Sequence, residues 1–309
     1  MTPSRLAAID IGTNTIKLLV AAVEAGTLIA LHEDSQTTRL GEGVAKTKQL
    51  TAEAIERTAA GLAAFAGKAR EMGAAKILAV ATSGAREGKN TEQFLARARE
   101  MAGLDVEIIS GEREAELIFA GVSTDAGLRD QRLLVMDVGG GSAEIIAGQS
   151  GCIERRVSVA GGAVRLTERF LRGDPIPSSE LDALLLHGRE LLRLELAQCS
   201  LDGRIMIGTG GTVTTAAAIE QSLARFSIEK VNHYPLTRQR LAEMLERLRA
   251  LPLAERRKVP GLPPKRADII VAGLAMYVVA MELAGVGKLT VSTRGLRFGL
   301  LAERCGLLT

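Results

Sequence analysis

Three short stretches of this chain are dense in Gly, Ser and Thr: DIGTNT (Asp10–Thr15), DVGGGS (Asp137–Ser142) and GTGGT (Gly208–Thr212). Without Cβ atoms in the way, the amides of such turns can close on the oxygens of an anion. A single glycine turn between strands is structural more often than not, but three in one chain are another matter. The first two open with an acid, Asp10 and Asp137, placed where an apolar run meets the turn. A carboxylate there can hold Mg²⁺, directly or through water, while the amides hold phosphate; capping its own turn is an equal alternative. A further acid, Glu114 in GEREAELIFAGV, is followed at i+3, i+4 and i+7 by Leu117, Ile118 and Gly121, which sets it on the inward face of a helix, with Glu112 and Glu116 on a more polar one. An inward carboxylate, its pKa raised by desolvation, can hold a water and take its proton. From the residues alone, a first-turn acid stabilising its helix is the commoner explanation.

The elements that must position these groups follow from periodicity. LAAIDIGTNTIKLLVAAV reads as strand, tight polar turn and strand, and RLLVMDVGGGSAEIIAG repeats that layout 127 residues later, with Asp10 matching Asp137 and Gly12 matching Gly139. RIMIGTGGTVTTAAAI is a strand whose glycine loop opens a helix. Between the first two lie a helix capped by Thr51 (TAEAIERTAAGLAAFAGKAREMG), a strand running into a polar loop (KILAVATSGAR), a helix (NTEQFLARAREMAG), a strand (DVEIIS) and the helix carrying Glu114. After Ile146 helices dominate: VRLTERFL, SSELDALLLHGRELLRLELAQ, TRQRLAEMLERLRAL and the apolar run Ile269–Met281. RGDPIPSS and VPGLPPKR read as short connections. Strands alternating with helices predict an α/β architecture with parallel pairings beside the two antiparallel hairpins.

Composition narrows the function classes. A 309-residue chain that is 47% hydrophobic and 24% charged fits a globular α/β protein with room for two domains. The N-terminus reaches Asp10 without the apolar stretch of a signal peptide, and the 13-residue run Ile269–Met281 is shorter than the ~20 residues needed to span a bilayer. A cytoplasmic protein with no membrane partner is expected. Cys152, Cys199 and Cys305 show no disulfide or CxxC spacing, and His32, His187 and His233 show no ligand spacing, so zinc and Ser/His/Asp hydrolase chemistry find little support. Residues 1–124 carry 14 basic and 16 acidic side chains, residues 125–309 carry 25 and 20. The basic excess of the second part is compatible with a polyanionic ligand and equally with arginine-biased composition.

The order of the three turns resembles the actin, Hsp70 and sugar-kinase superfamily, and within it the exopolyphosphatase and guanosine pentaphosphate phosphohydrolase (Ppx/GppA) family. AIDIGTNTIKLLV, ATSGAR, ISGEREAELIFAGV, MDVGGGSAEI, GGAVRLTERF, IGTGGTVTTAAAI, PGLPPKRADIIVAG and STRGLRFGLL fall in that family's order. The resemblance implies two actin-like (ribonuclease H-like) domains with a cleft between them, residues 1–124 and 125–309, the last helix packing back on the first domain. It implies the short form, without the C-terminal HD-motif domain of longer members. Glu114 takes the place of the family's catalytic glutamate. Gly12, Thr13, Asn14, Thr15, Arg86, Gly139, Gly140, Gly141, Ser142, Gly208, Gly210, Gly211 and Thr212 fall on the phosphate side, although Arg86 by itself could be an ordinary surface arginine. Asp137, Glu144 and Asp10 become the metal residues, Asp137 most strongly, with Mg²⁺ the expected ion and Mn²⁺ and K⁺ as further candidates. Phe298 stands where the family usually has an acid, a departure from the family's pattern at that position.

The expected reaction is Mg-dependent hydrolysis of a terminal phosphoanhydride, by water oriented on Glu114 and without a covalent intermediate. Inorganic polyphosphate and guanosine pentaphosphate (pppGpp) both fit, the basic second domain favouring polyphosphate. A kinase or ATPase would need an adenosine pocket that the sequence does not reveal. A non-catalytic sensor of alarmones or polyphosphate is disfavoured by the joint presence of Glu114, Asp137 and Glu144. No nucleic-acid partner is expected, and a homodimer is compatible with the family.

Overall fold

A computed structural model describes residues 5–199 and 201–307. The chain divides into two compact units: one runs to Asp130 and resumes at Arg294, the other is Gln131–Thr293. The sequence reading draws its boundary at 124/125. The six residues beyond stay with the first unit because Asp125 closes a turn on the end of the Glu114 helix: Asp125 N donates to Val122 O, and Leu128 N and Arg129 N donate to Asp125 O.

In the first unit, β1 (Arg5–Ile11), β2 (Thr15–Glu24) and β3 (Thr27–Thr37) form an antiparallel meander, and β4 (Ala74–Ala81) and β5 (Val106–Ile108) join it in parallel, in the order β3-β2-β1-β4-β5. The helices are α1 (Val44–Thr47), α2 (Ala52–Glu71), α3 (Ser83–Glu87), α4 (Thr91–Ala102) and α5 (Gly111–Ser123). Thr51 caps α2 as its sequence predicts, its side chain accepting from Ala54 N at 3.2 Å. The core is small and aliphatic, with Phe65 and Phe94 at the faces of α2 and α4.

The second unit repeats the plan. Strands β6 (Arg132–Val138), β7 (Ala143–Gln149) and β8 (Cys152–Val159) form the meander, and the sheet runs β8-β7-β6-β9-β11-β10, with β9 (Ile205–Thr209), β10 (Pro235–Thr237) and β11 (Lys288–Val291). Read from the meander, the first five positions of each sheet have the same connectivity. Helices α6 (Ala163–Phe170), α7 (Ser178–Ala197), α8 (Gly210–Glu220), α9 (Ile228–Val231), α10 (Arg238–Ala250), α11 (Leu253–Arg256) and α12 (Ile270–Leu283) cover this sheet. Helix α12 is buried nearly all round, as its unbroken apolar run requires. No helix among the described residues is long and apolar enough to cross a membrane.

The last helix, α13 (Leu296–Arg304), belongs to the first unit and lies on α5. Backbones touch there: a Cβ on Gly121 would collide with Gly295 O, and one on Gly299 with Leu117 O. Arg113 of α5 pairs with Glu303 of α13, and the hydrogen bond it donates to that carboxylate raises the guanidinium's pKa. Phe298 is buried under the Arg294 guanidinium, 5.1 Å from its ring centroid.

Candidate active site

In the first unit the β1–β2 register places Lys17 directly opposite Asp10, and the Lys17 Nζ lies 3.7 Å from Asp10 Oδ2. Directly opposed residues of an antiparallel pair share a face, so the acid at the mouth of this turn has a cation from its own hairpin. The turn itself is closed by Gly12 N donating to Thr15 O (3.1 Å). The Thr13 carbonyl accepts from Gly41 N (2.9 Å), and the Asn14 carbonyl from Thr38 N (3.1 Å) and Arg39 N (2.9 Å). The Thr13, Asn14 and Thr15 side chains are buried.

Glu114 sits in the first turn of α5, whose N-cap Ser110 accepts from Arg113 N at 3.1 Å. It is 8% exposed, Glu112 is exposed and Glu116 intermediate. Arg86 stands at the end of α3, a short helix where the sequence reads as a loop. Its Nη1 donates to Ile109 O at 2.7 Å, which fixes the guanidinium, and Nη1 and Nη2 lie 3.4 and 3.5 Å from Glu114 Oε2. The separation is long for a charge-assisted bond. Base candidate and arginine therefore share one locale, about a quarter of the arginine side chain facing solvent.

In the second unit the corresponding register pairs Asp137 with Glu144. Glu144 is 1% exposed and accepts from Ser158 Oγ at 2.8 Å. Gly139 N donates to Ser142 O (3.0 Å), repeating the bond that closes the first turn. The junction of β9 and α8 comes against the same aspartate: Gly210 has φ +82°, and a Cβ there would strike Asp137 Oδ1. A Cβ on Gly211 would strike the Arg266 guanidinium, carried on a short 3₁₀ turn, Pro264–Arg266, just before α12. Burial pushes the Arg266 pKa down, and the charge of Asp137 opposes that shift. Beneath them the buried Tyr277 hydroxyl lies 3.0 Å from Met136 O and 2.9 Å from Thr209 O, tying the ends of β6 and β9 together. Its pKa is raised by burial first and then by Asp137.

Gly208 and Thr212, read from the sequence as parts of the third phosphate loop, fall in β9 and in the first turn of α8. Gly208 is a strand residue paired with Met136 on one side and Val291 on the other, and its carbonyl accepts from Ser292 N at 2.8 Å. Its missing side chain makes room for Val213 and the Tyr277 ring. Thr212 is buried and its Oγ1 donates to Val138 O at 2.9 Å, pinning α8 to β6. Gly210 and Gly211 open α8, beside Asp137 and Arg266. Lys17, Arg266 and Tyr277 are site residues that the sequence reading leaves out; Lys17 is the offset partner of Glu144, and Arg266 stands in the quoted PGLPPKRADIIVAG stretch.

Two sheets of one connectivity, each with an acid-headed hairpin turn at the same place, define a two-domain α/β protein of the actin-like class. Residues 19–306 match the model of the Ppx/GppA phosphatase family, and the chain belongs to that family. It is 34% identical over 320 residues to exopolyphosphatase 2 of Mycobacterium tuberculosis, with 99% of this chain and all of that protein covered. Among solved structures it is similar to the Aquifex aeolicus Ppx/GppA family member (30% identity, TM-score 0.82, 98% of this chain and 97% of that one). An exopolyphosphatase from Cytophaga hutchinsonii is similar too (30% identity, TM-score 0.90, 98% of each chain).

Proposed function

We propose that the protein is an exopolyphosphatase that cleaves the terminal phosphoanhydride bond of inorganic polyphosphate, with Glu114 as general base. The observation that carries this reading is the pairing of a buried carboxylate, Glu114, with a guanidinium, Arg86, that Ile109 O fixes in place. A base needs a protected carboxylate, and a phosphoryl group under attack needs a fixed positive charge. Similarity to exopolyphosphatase 2 along both whole chains supports the substrate class.

In the proposed reaction Glu114 orients a water and accepts its proton as the water oxygen bonds to the terminal phosphorus. The bridging P–O bond breaks, its electron pair leaves on the shortened chain, and orthophosphate is released. Arg86 offsets charge on the equatorial oxygens, and the amides of Thr13 and Asn14 in the first turn and of Gly140–Ser142 in the second hold phosphate groups, since those of Gly12 and Gly139 close the turns. The donor chemistry of Asp137 and Glu144 suits Mg²⁺: two hard carboxylates on opposed positions, leaving further coordination to water and phosphate. No group of three or more His, Cys, Asp or Glu that could hold a metal ion occurs among the described residues. An ion held by Asp137 and Glu144 would supply positive charge to the phosphate oxygens. Mn²⁺ could occupy the same oxygens. Asp10, which has Lys17 at hand, is the weaker metal candidate.

The test is phosphate release, with and without Mg²⁺, from long polyphosphate, guanosine pentaphosphate and ATP in parallel. Release from polyphosphate is expected. Release confined to guanosine pentaphosphate would reassign the substrate, and tight binding without release from any would make the protein a sensor. Glu114→Gln is expected to lower kcat by roughly 10² to 10⁴ with KM nearly unchanged. An unchanged kcat would remove Glu114 from the role.

A further inference from the structure

Helix α6 begins directly against the Gly139–Ser142 turn, and the hydrogen bonds between them run in one direction. Ala163 N donates to Gly139 O (2.8 Å), Val164 N and Arg165 N donate to Gly140 O (2.9 and 3.2 Å), and Gly162 N donates to Gly141 O (3.3 Å). The Gly141 carbonyl also accepts from the Arg165 Nε at 2.8 Å. The approach is so close that a Cβ on Gly162 would strike Gly140 O. All three glycine carbonyls thus face the helix, and peptide planarity aims the N–H groups of Gly140, Gly141 and Ser142 the opposite way. The first amides of α6, and the positive end of its dipole, act on the turn's carbonyls and reach an anion only through the turn.

We propose that Arg165 is a positioning residue for phosphate binding: by holding the Gly141 carbonyl it fixes and polarises the Gly141–Ser142 peptide, so that the Ser142 N–H meets phosphate as a preoriented, strengthened donor. This rests on the reading of Gly139–Ser142 as a phosphate turn. Gly162 belongs to the same device, because only a residue without a side chain lets the helix come this near.

The test compares wild type, Arg165→Met and Arg165→Lys in phosphate release from polyphosphate, in inhibition by orthophosphate, and in calorimetric binding of orthophosphate, which needs no turnover. Arg165→Met is expected to raise KM and weaken orthophosphate binding by the same factor, about tenfold, the loss of one hydrogen bond from a charged donor. kcat changes less than KM, and Arg165→Lys recovers part of the affinity. A folded Arg165→Met protein with wild-type KM and orthophosphate affinity would overturn the proposal. If that variant does not fold, Arg165→Ala decides in its place, since wild-type orthophosphate affinity in a protein with no side-chain donor to the Gly141 carbonyl would overturn it equally. Wild-type protein that binds orthophosphate but releases none would fail the hydrolase reading, while the affinity comparison would still test Arg165.

Discussion

The two hairpins are copies that differ at one informative position. In both, an aspartate stands one residue before the end of the first strand, the residue two places on donates its N–H to the carbonyl that closes the turn (Gly12 to Thr15, 3.1 Å; Gly139 to Ser142, 3.0 Å), and the turn carbonyls are taken by neighbouring backbone. Opposite the aspartate, however, the first unit has Lys17 and the second has Glu144. One hairpin neutralises its own acid. The other sets two carboxylates face to face, a destabilising arrangement unless positive charge is supplied. Arg266 provides some from beyond Gly211, at the cost of a guanidinium whose pKa burial has lowered. The repeated plan therefore holds two acid-headed turns but only one pair of facing carboxylates.

The sharpest way to break this comparison is to remove one aspartate at a time. Asp137→Asn should cost about 10² to 10³ in kcat, the scale of losing a preorganised electrostatic partner of phosphoryl transfer, and should blunt the dependence on Mg²⁺ concentration. Asp10→Asn should leave that dependence intact, because Lys17 already answers its charge. Equal loss of Mg²⁺ response in both variants, measured as phosphate release across a Mg²⁺ titration, would erase the distinction between the hairpins.

A smaller effect isolates the facing carboxylates. Glu144→Gln keeps the Ser158 contact sterically available and removes one of the two charges. In urea unfolding without Mg²⁺ it should be neutral or more stable than wild type, by up to ~1 kcal/mol for relief of a like-charge cross-strand pair. Wild type should gain more stability from added Mg²⁺ than the variant, since an ion that binds only the folded state stabilises it by mass action. The same gain in both proteins would place the ion elsewhere.

How much of this was legible in the sequence follows from what each element has to satisfy. The duplication was readable because strand, acid and glycine turn are local signals, and the offset of 127 that matches Asp10 to Asp137 also matches Lys17 to Glu144. The inward face of Glu114 followed from helical spacing, and the structure buries it. Strands β3 and β8 were missed because they are the outer strands of the two meanders, TLIALHEDSQT and CIERRVSV, with few buried residues and many polar ones. Helix α3 was missed because a five-residue element made of Ser, Gly, Ala, Arg and Glu has no apolar period to read. Gly208 was assigned to a loop by its glycine neighbours, whereas the parallel ladder to β6 extends through Thr209. Arg266 could not be placed at all: its position beside Gly211 is set by the packing of α12 on α8 and β6, a tertiary fact that a Pro-rich connection does not announce.

The smallest predicted effect concerns the self-neutralised hairpin. Lys17 and Asp10 are partly solvated and 3.7 Å apart, so screening and side-chain entropy leave the pair little net energy, and Lys17→Met should change stability in urea by no more than about 1 kcal/mol. What it should alter is the ion response. With Lys17 gone, Asp10 becomes a carboxylate without its hairpin cation, and the first turn comes to resemble the second in charge. Mg²⁺ or Mn²⁺ should then add stability to Lys17→Met beyond what it adds to wild type, and Asp10→Asn in the same background should abolish that extra gain. A Lys17→Met protein with a wild-type metal response would mean that the identity of the residue opposite the aspartate does not decide which hairpin attracts the ion.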